Sequence, residues 1–441
     1  MNRHFSLALA ASVLVSATAG CASAVAPQLA GARTGGPLLV AGKPIPGRYI
    51  VKMRPGQTLR LRQGAGVKAE KAIEKLNVYG LEVATKKSIN DLKRELGPGV
   101  EYIEPDVTIT FADKLETLTS GFNAKTEEPK AGFNDPMASE QWAIGKTQQA
   151  EAVASSRGGS KDVVIAIVDT GVDLKHPDLK DKLVKGYNAT GIGGLFGLGS
   201  AADDNGHGTH CAGIAAAITN NNVGIAGMAP NCKIMPVRVL AGAGSGSLLS
   251  VAKGITWAAD HGADVISLSL GGPGTMATLG EAVKHALSKN SVVVAAMGNS
   301  GHNGNPISYP AAYPGVISVG ATDSEDKIAM FSSFNKYCSV SAPGVKIWAT
   351  TPTYDVWLTK NSGGRITKEY SFMSGTSMAT PLVAGLAGLV RSVHPKMPPA
   401  QVKELLEKSA DKTPSMGGAN WDEKFGHGRI NALKAVSGSA R

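Results

Sequence analysis

Three polar residues, far apart along the chain, carry side chains that together could catalyse acyl transfer. Asp169 follows the apolar run 163–168, His207 lies in the polar run 203–210, and Ser377 precedes a stretch rich in Ala and Gly. A serine hydroxyl is a weak nucleophile until a base removes its proton, and an imidazole titrating near neutrality can be that base. A buried carboxylate would fix the imidazole tautomer and stabilise its cation. Each residue alone is more often a turn or capping residue, so this chemistry requires all three to converge.

Ser377 has the position that such a nucleophile needs. The apolar stretch 378–393 that follows it predicts a helix, and its small residues would let this helix lie close to other backbone. At a helix N-terminus the backbone N–H groups point outward and the helix dipole favours developing negative charge. The alternative is that Ser377 is only an N-cap.

The elements that must position these residues indicate an α/β domain with a mainly parallel sheet from residue 134 onward. Short Val- and Ile-rich runs, several without alternation, are typical of strands covered on both faces. These runs are 163–168, 234–239, 265–270, 292–296 and 316–319, and helical stretches at 208–218, 248–261 and 279–289 separate them. In such a domain the chemistry should lie beyond the carboxyl ends of the strands.

The first 26 residues predict an export signal, with Arg3 followed by an apolar core and then by small residues. Residues 18–21 resemble a bacterial lipobox, which would leave Cys21 as a lipid anchor, while ordinary cleavage after Ala24 or Ala26 is the alternative. No later apolar run approaches the roughly 18 residues that span a bilayer. We therefore expect a mature chain that is secreted or held in the cell envelope.

A small α+β unit is predicted between two linkers. Residues 27–46 form the first linker, rich in Gly, Pro and Ala, and the polar residues 112–133 form the second, which is suited to proteolysis. Between them, strands at 48–53, 79–85 and 100–109 and helices at 67–76 and 88–96 give the order β-α-β-α-β. That order suggests a ferredoxin-like fold for residues 47–111.

Composition describes a folded globular protein of more than one domain. The 441 residues are 43% apolar and 18% charged, which excludes a disordered chain. Residues 33–106 carry 14 Lys or Arg and 8 Asp or Glu, so they account for +6 of the net charge of +10. No basic stripe with interleaved aromatic residues accompanies it, so we predict no nucleic-acid binding.

Three blocks of the sequence together resemble the signature of the subtilisin-like serine proteases (subtilases), in particular their thermitase-like members. They are VDTGVD at 168–173, GHGTHCAG at 206–213 and GTSMATP at 375–381, in the order Asp, His, Ser. The resemblance extends over about residues 134–436, within a predicted catalytic domain of residues 134–441. It implies a subtilisin-like parallel sheet with helices on both faces. It also implies that Asp169 orients His207, that His207 is general base and then acid, and that Ser377 is the nucleophile.

The resemblance also implies how substrate and oxyanion are bound. The block 295–301 resembles the family's oxyanion block, so the Asn299 amide and the Ser377 N–H would bind the oxyanion. Two edge segments would clamp an extended peptide by β-augmentation, and Ala296 and Gly298 would wall the pocket for the residue before the scissile bond. The edge segments are Gly244-Ser245-Gly246 and Ser269-Leu270-Gly271. Because Ser300 and Ser308 are uncharged, we expect broad specificity with an apolar or aromatic preference in that pocket.

A structural Ca²⁺ site is the cofactor that the resemblance implies. Six oxygens that include carboxylates and carbonyls suit this ion. The alternative is an Asn-rich turn that satisfies its own hydrogen bonds. The implied ligands are the side chains of Asp135, Asp178 and Asn221 and the carbonyls of Thr219, Val223 and Ile225.

The sequence does not decide the redox state of the cysteines. Three lie outside the signal region, at 211, 232 and 338, so at least one thiol stays free, and a Cys232–Cys338 pair is one alternative. Cys211 lies about one helical turn beyond His207, so mercurials are expected to inhibit by crowding the base. A zinc site at His207 and Cys211 is disfavoured, because the triad employs His207 and no further ligands cluster in the sequence.

The same resemblance implies a role for the small α+β unit at residues 47–111, which we call the front unit. A domain of this type in the family is an intramolecular chaperone and inhibitor, whose tail lies in the active site until cleavage, here within about residues 111–134. The chain would thus be an autoprocessed zymogen of a monomeric endopeptidase that acts on proteins and peptides. Two alternatives remain open: a catalytically dead subtilase that serves as an envelope binding module, and a lipid-anchored protease with one dedicated substrate.

Overall fold

The computed structural model describes residues 42–61, 66–84, 87–111, 119, 132–190 and 199–438. The predicted signal peptide with its lipobox, and most of the linkers 27–46 and 112–133, lie outside the described residues. The described residues, from 42 to 438, belong to one compact unit. Within the described part of the chain, none of the helices has the length and hydropathy that a bilayer span requires.

The front unit is an antiparallel sheet with a helix. Its elements are β1 (Pro44–Met53), β2 (Val67–Ile73), β3 (Val78–Val83), α1 (Ile89–Leu96) and β4 (Val100–Phe111). The strands lie in the order β4-β1-β3-β2, and Leu81 and Leu92 are fully buried in the small core between sheet and helix. Ser88 closes a capping box with Asp91 at the start of α1, so the predicted capped helix at 88–96 is confirmed.

The helix predicted at 67–76 is wrong. Residues 67–73 form β2, which pairs antiparallel with β3, and only Glu74–Leu76 form a short 3-10 turn. The Lys, Glu and Ala residues of this segment favour a helix by intrinsic propensity, which is a weak preference that tertiary context overrides. Pairing with β3 gives β2 its backbone hydrogen bonds, so the order is β-β-β-α-β instead of the predicted β-α-β-α-β.

The rest of the chain is the predicted α/β domain. Its strands are β5 (Val164–Asp169), β6 (Tyr187–Asn188), β7 (Lys233–Arg238), β8 (Ser245–Ser247), β9 (Val265–Leu268), β10 (Leu270–Pro273), β11 (Val292–Ala296), β12 (Ser308–Tyr309), β13 (Ile317–Thr322), β14 (Val340–Pro343), β15 (Ile347–Thr351) and β16 (Glu369–Met373). Its helices are α2 (Ala143–Thr147), α3 (Gln149–Ser155), α4 (His207–Ala216), α5 (Leu248–Asp260), α6 (Ala277–Ser288), α7 (Trp357–Asn361), α8 (Thr376–Val393), α9 (Pro399–Ser409) and α10 (Ala432–Gly438).

Seven strands form a parallel sheet in the order β14-β13-β11-β9-β5-β7-β6. Every residue of β9, β11 and β13 is buried, as expected for strands of a parallel sheet covered on both faces. Helices α4 and α8 pack against each other and against the sheet, and α5 and α6 form a second packed pair. The predicted α/β class, with a mainly parallel sheet, is confirmed for the larger domain, while the ferredoxin-like fold of residues 47–111 stays a prediction.

Helix α8 is the buried central helix that its small residues predict. All of its residues from Thr376 to Arg391 are buried. Gly385 lets α8 approach α4, since a Cβ at this position would lie 2.6 Å from the Ala215 carbonyl oxygen. This close packing fixes the start of α8, and therefore Ser377, relative to α4.

The front sheet continues into the α/β domain through its strand β4. The end of β4 pairs antiparallel with β8 on one side, with Ile109 opposite Gly246. On the other side it pairs antiparallel with β10, with Phe111 opposite Leu270. The last residues of the front unit therefore form the middle strand between two edges of the larger domain.

Candidate active site

Asp169 and His207 are hydrogen-bonded partners. Asp169 ends β5 at its carboxyl end and His207 is the first residue of α4. The His207 Nδ1 atom lies 2.8 Å from Asp169 Oδ1, and both residues are buried from solvent. The same carboxylate oxygen accepts a hydrogen bond of 2.7 Å from the Thr170 amide. A ring whose Nδ1–H donates to a carboxylate presents its Nε2 lone pair as a base.

The glycine after His207 explains how α4 comes this close to the strand end. A Cβ on Gly208 would overlap the Gly171 carbonyl oxygen and lie 3.2 Å from the Cβ of Asp169. Only glycine therefore permits the first turn of α4 to pack on the loop after β5. The contact sets the His207 ring within hydrogen-bond distance of the carboxylate.

Ser377 lies in the first turn of α8 and is held on the same side of the sheet. Its hydroxyl donates to the Ser269 carbonyl at 3.2 Å, and the Ser269 hydroxyl donates back to the Ser377 carbonyl at 2.9 Å. The Cys211 thiol lies 3.5 Å from the Ser377 carbonyl oxygen and 3.9 Å from His207 Nδ1. One side chain of α4 thus touches both the predicted base and the backbone of the predicted nucleophile.

Asn299 lies just after β11 and is anchored beside Ser377. Its side-chain oxygen accepts hydrogen bonds from the Thr376 amide at 2.9 Å and from the Thr376 hydroxyl at 3.0 Å. The Thr376 hydroxyl also accepts from the Gly298 amide at 3.2 Å. Because Thr376 binds the oxygen of the Asn299 side chain, the NH₂ group is the part of this side chain that can donate a hydrogen bond to another group.

The two predicted substrate-binding edges hold the end of β4. Gly244 accepts a hydrogen bond from the Phe111 amide at 3.2 Å, β8 includes Ser245 and Gly246, and β10 begins with Leu270 and Gly271. The Phe111 ring stacks on the His207 ring with centroids 4.6 Å apart and planes 14° apart. A Cβ on Gly244 would collide with this phenyl ring.

The opposite wall of the predicted pocket is also assembled. Ala296 ends β11, and Gly298 has a left-handed φ of 102°. A Cβ on Gly298 would lie 3.3 Å from the Ser333 hydroxyl and 3.7 Å from the Ser308 Cβ. The side chains of Ser308 and Ser333 line this wall and bring no charge to it.

Acidic residues of β4 bind the starts of two helices of the larger domain. The Glu104 carboxylate accepts from the amides of Ala277 and Thr278 at the start of α6, both at 2.9 Å. The Asp106 carboxylate accepts from the Leu249 amide in α5 at 3.1 Å. Carboxylates at helix N-termini satisfy exposed N–H groups and complement the dipole, so these contacts dock the front unit electrostatically.

The predicted calcium ligands surround one loop. Asp135 and Asp178 are buried, and Asp135 accepts from the amides of Asn220 and Asn221 at 2.9 and 3.1 Å. Asp178 accepts from the Asn221 side-chain amide at 2.8 Å and the Ile225 amide at 3.1 Å. Burial raises the pKa of both carboxyls, that of Asp178 to about 6. Two buried carboxylates beside a carbonyl-rich loop fit a divalent cation, although Asn221 presents its nitrogen to Asp178 and must turn over to present its oxygen.

All three cysteines outside the signal region are buried and unpaired, so the Cys232–Cys338 alternative is wrong. Among the described residues, Asp169, His207 and Cys211 form a group whose potential ligand atoms lie within 4.8 Å of one another, so the fold adds a ligand that the sequence did not place there. Burial raises the pKa of the Cys211 thiol. A protonated thiol and an imidazole already bound to Asp169 disfavour a metal there.

Sequence reasoning missed Thr376 and Phe111. Thr376 stands in the block that contains Ser377, and its hydroxyl is what orients Asn299. Phe111 ends the apolar alternation of β4 just before a polar linker, which was the available signal. Its contact with His207 could not be predicted, because residues that far apart in the sequence are brought together only by the fold.

Comparisons with known proteins place this chain in one family. A family model described as the subtilase family matches residues 160–428. Thermitase from Thermoactinomyces vulgaris is 45% identical over 305 residues, which cover 69% of this chain and 98% of thermitase. A thermophilic serine proteinase from Bacillus sp. (strain AK1) is 45% identical over 342 residues, covering 77% of this chain and 73% of that protein.

A solved structure extends the similarity to nearly the whole chain. The crystal structure of fervidolysin from Fervidobacterium pennivorans, a keratinolytic enzyme related to subtilisin, superposes with a TM-score of 0.74 at 27% identity. The match covers 91% of this chain, which spans 63% of the fervidolysin chain. We conclude from these matches, together with the parallel sheet and the buried Asp–His pair, that the chain belongs to the subtilase family and is a subtilisin-like serine endopeptidase.

Proposed function

We propose that the chain is an exported zymogen of a broad-specificity endopeptidase, with Asp169, His207 and Ser377 as its catalytic triad. The buried hydrogen bond between Asp169 and His207, beside the N-terminus of α8, is the observation that carries this proposal. Its hydrogen bonds to Ser269 hold Ser377 at the predicted substrate-binding edge, where the proposed nucleophile must meet the substrate.

The proposed reaction is acyl transfer in two steps. The Ser377 Oγ atom attacks the substrate carbonyl carbon while His207 Nε2 takes the hydroxyl proton. The Asn299 side-chain amide and the Ser377 N–H donate to the resulting oxyanion. The C–N bond then breaks, His207 gives its proton to the leaving amine, and a water molecule hydrolyses the acyl-enzyme by the same proton route. Asp169 holds the imidazole tautomer throughout.

The front unit is proposed to inhibit the enzyme until it is removed. The residues at the end of β4 lie between the two edges that would bind substrate, and Phe111 covers one face of His207. Asp169, His207 and Ser377 are each at most 1% exposed in this state. Self-cleavage within residues 111–134 would follow directly from this arrangement, because the next peptide bonds come immediately after the docked strand.

Substrate preference is proposed to be broad, with an apolar or aromatic residue before the scissile bond. An antiparallel strand on both sides binds mainly through backbone groups, which favours tolerance of sequence. The uncharged serines at the pocket wall provide no charged partner for Lys or Arg. A panel of peptides that differ only at this position tests the preference, and strong selectivity for Arg or Lys would contradict it.

A structural calcium ion is proposed at Asp135, Asp178 and Asn221, with carbonyls of Thr219, Val223 and Ile225. When bound, the ion would neutralise two buried carboxylates and hold the loop to the N-terminal part of the domain. It takes no part in the acyl transfer. The buried acidic pair supports the assignment.

Export is proposed from residues 1–26, with Cys21 as a lipid anchor if the lipobox is used. Metabolic labelling with a lipid precursor, with a Cys21→Ser control, distinguishes the anchored form from the free form. The dedicated-substrate alternative is tested on the same material by comparing cleavage of casein with cleavage of envelope proteins.

The decisive experiment is expression of wild type beside Ser377→Ala, followed by casein zymography and N-terminal sequencing of the product. We expect wild type to give a clearing zone and a new N-terminus within residues 111–134, and Ser377→Ala to keep the front unit attached. Equal processing of both proteins would contradict self-cleavage. A wild type without activity would favour the binding-module alternative.

A further inference from the structure

The structure contains a buried carboxylate that touches both the loop of Asp169 and the helix of His207. Asp203 is 1% exposed and lies just before α4. Its Oδ1 atom accepts from the Thr170 hydroxyl at 2.8 Å and from the amides of Asn205 and Gly206, both at 2.9 Å. Its Oδ2 atom accepts from the Thr209 amide at 2.9 Å and the Thr209 hydroxyl at 2.7 Å.

The direction of both threonine hydroxyls is fixed by further hydrogen bonds. The Thr170 oxygen accepts from the Gly208 amide at 2.9 Å, and the Thr209 oxygen accepts from the Asp173 amide at 3.0 Å. Each hydroxyl must therefore direct its proton toward Asp203. Burial raises the pKa of the Asp203 carboxyl, but its five hydrogen-bond partners among the described residues are all donors, and this environment is suited to the ionised form.

These contacts connect the two halves of the Asp–His pair. Thr170 follows Asp169 directly, and its hydroxyl bridges Asp203 to the amide of Gly208, the residue after His207. Thr209, in the first turn of α4, connects the same carboxylate to the backbone of Asp173 in the loop beyond Asp169. The distance between Asp169 and His207 is thus set through Asp203 as well as by their own hydrogen bond.

We infer that Asp203 is a positioning residue of the active site: it holds α4 and the loop after β5 in the register that lets His207 accept the serine proton. This inference rests on the proposed catalytic triad. Asp203 acts through Thr170 and Thr209, and the hydrogen bonds of its carboxylate described above all come from residues outside the two substrate-binding edges, so its loss should reduce turnover and leave substrate binding intact.

Asp203→Asn is the most direct test. An amide cannot accept hydrogen bonds with its nitrogen, so at least two of the five donors lose their acceptor. Because a displacement of about 1 Å in a catalytic group can cost roughly 10²-fold in rate, we expect kcat per active site, titrated after maturation, to fall by about that factor with KM unchanged.

Asp173→Asn is the matched control, since Asp173 is equally buried and takes part in the network only through its backbone amide, which the substitution keeps. Its carboxylate accepts from the Lys175 amide and from the amide and hydroxyl of Thr353, at 2.8–2.9 Å, and does not touch α4. We expect this variant to lose thermal stability and keep its kcat. An Asp203→Asn enzyme with wild-type kcat, or with no greater loss than Asp173→Asn, would overturn the inference.

A second pair of variants covers the case in which Asp203→Asn does not fold. Thr170→Val removes the bridging hydroxyl at nearly constant volume, and Thr170→Ser restores it. We expect kcat to fall in the valine variant and to recover in the serine variant, with KM unchanged in both. Equal kcat in the two variants would count against the bridge. An inactive wild type would instead contradict the proposed function itself.

Discussion

Removal of the Phe111 side chain is predicted to weaken self-inhibition strongly. Phe111 is 7% exposed, stacks on His207 and fills the space over Gly244. Transfer of a buried Phe side chain to water costs about 1.5–3 kcal/mol, and 1.4 kcal/mol corresponds to tenfold in a dissociation constant. Phe111→Ala should therefore weaken the binding of the cleaved front unit by roughly 10- to 100-fold.

Dilution of the self-cleaved protein measures this change. Purified full chain is allowed to process, diluted in series and assayed at once with a small peptide substrate, and the concentration at which half of the activity appears gives the dissociation constant. Thr110→Ala is the matched control, because Thr110 lies in the same strand and pairs through its backbone with β8 and β10. We call the concentration at which half of the activity appears the half-release concentration. If its values for Phe111→Ala and wild type agree within about twofold, the reasoning is refuted, because the affinity would then come from backbone pairing alone.

Three further predictions concern calcium, the thiol and the docking carboxylates. Calcium at about a hundred times its dissociation constant should add about 2.7 kcal/mol, so a chelator should lower Tm by about 5–10 °C at pH 8. A Tm that the chelator does not change at pH 8 would contradict the site. Since burial raises the pKa of Asp178 to about 6, the calcium-free protein should lose stability as pH rises from about 4 to about 6. A mercurial should inhibit the mature enzyme through Cys211, whose thiol lies 3.9 Å from His207 Nδ1. The Cys211→Ala variant should resist the mercurial, and inhibition of that variant would exclude Cys211 as the site of action. Glu104→Gln should raise the half-release concentration about two- to fivefold by removing a charge from a helix N-terminus, and a result equal to wild type would show that the charge does not contribute.

The elements of the α/β domain could be predicted because its sequence is locally consistent. The run 292–296 matches β11 residue for residue, and the predicted helix 248–261 differs from α5 by one residue. One predicted strand, 265–270, is two: β9 ends at Leu268 and β10 starts at Leu270. The break at Ser269 moves the chain from the parallel sheet to the edge that pairs with β4. The sequence VISLSL alternates apolar residues with Ser267 and Ser269, and that pattern does not distinguish one strand from two.

The front unit was harder to predict because a small domain depends more on tertiary context. Residues 67–73 have the composition of a helix and become a strand, because β3 offers a partner edge. Likewise the network around Asp203 could not be inferred from Asp203 alone. It requires two threonines from separate segments, and an acidic residue in a polar run resembles any surface turn.

The complete burial of Asp169, His207 and Ser377 has a practical consequence. A reagent that phosphonylates or sulfonylates reactive serines must reach the hydroxyl from solvent, so full-length molecules should stay unmarked while those freed from the front unit become labelled. Such a tag would count activated copies within a mixed population without any substrate. A culture sampled over time would then show how the labelled fraction changes.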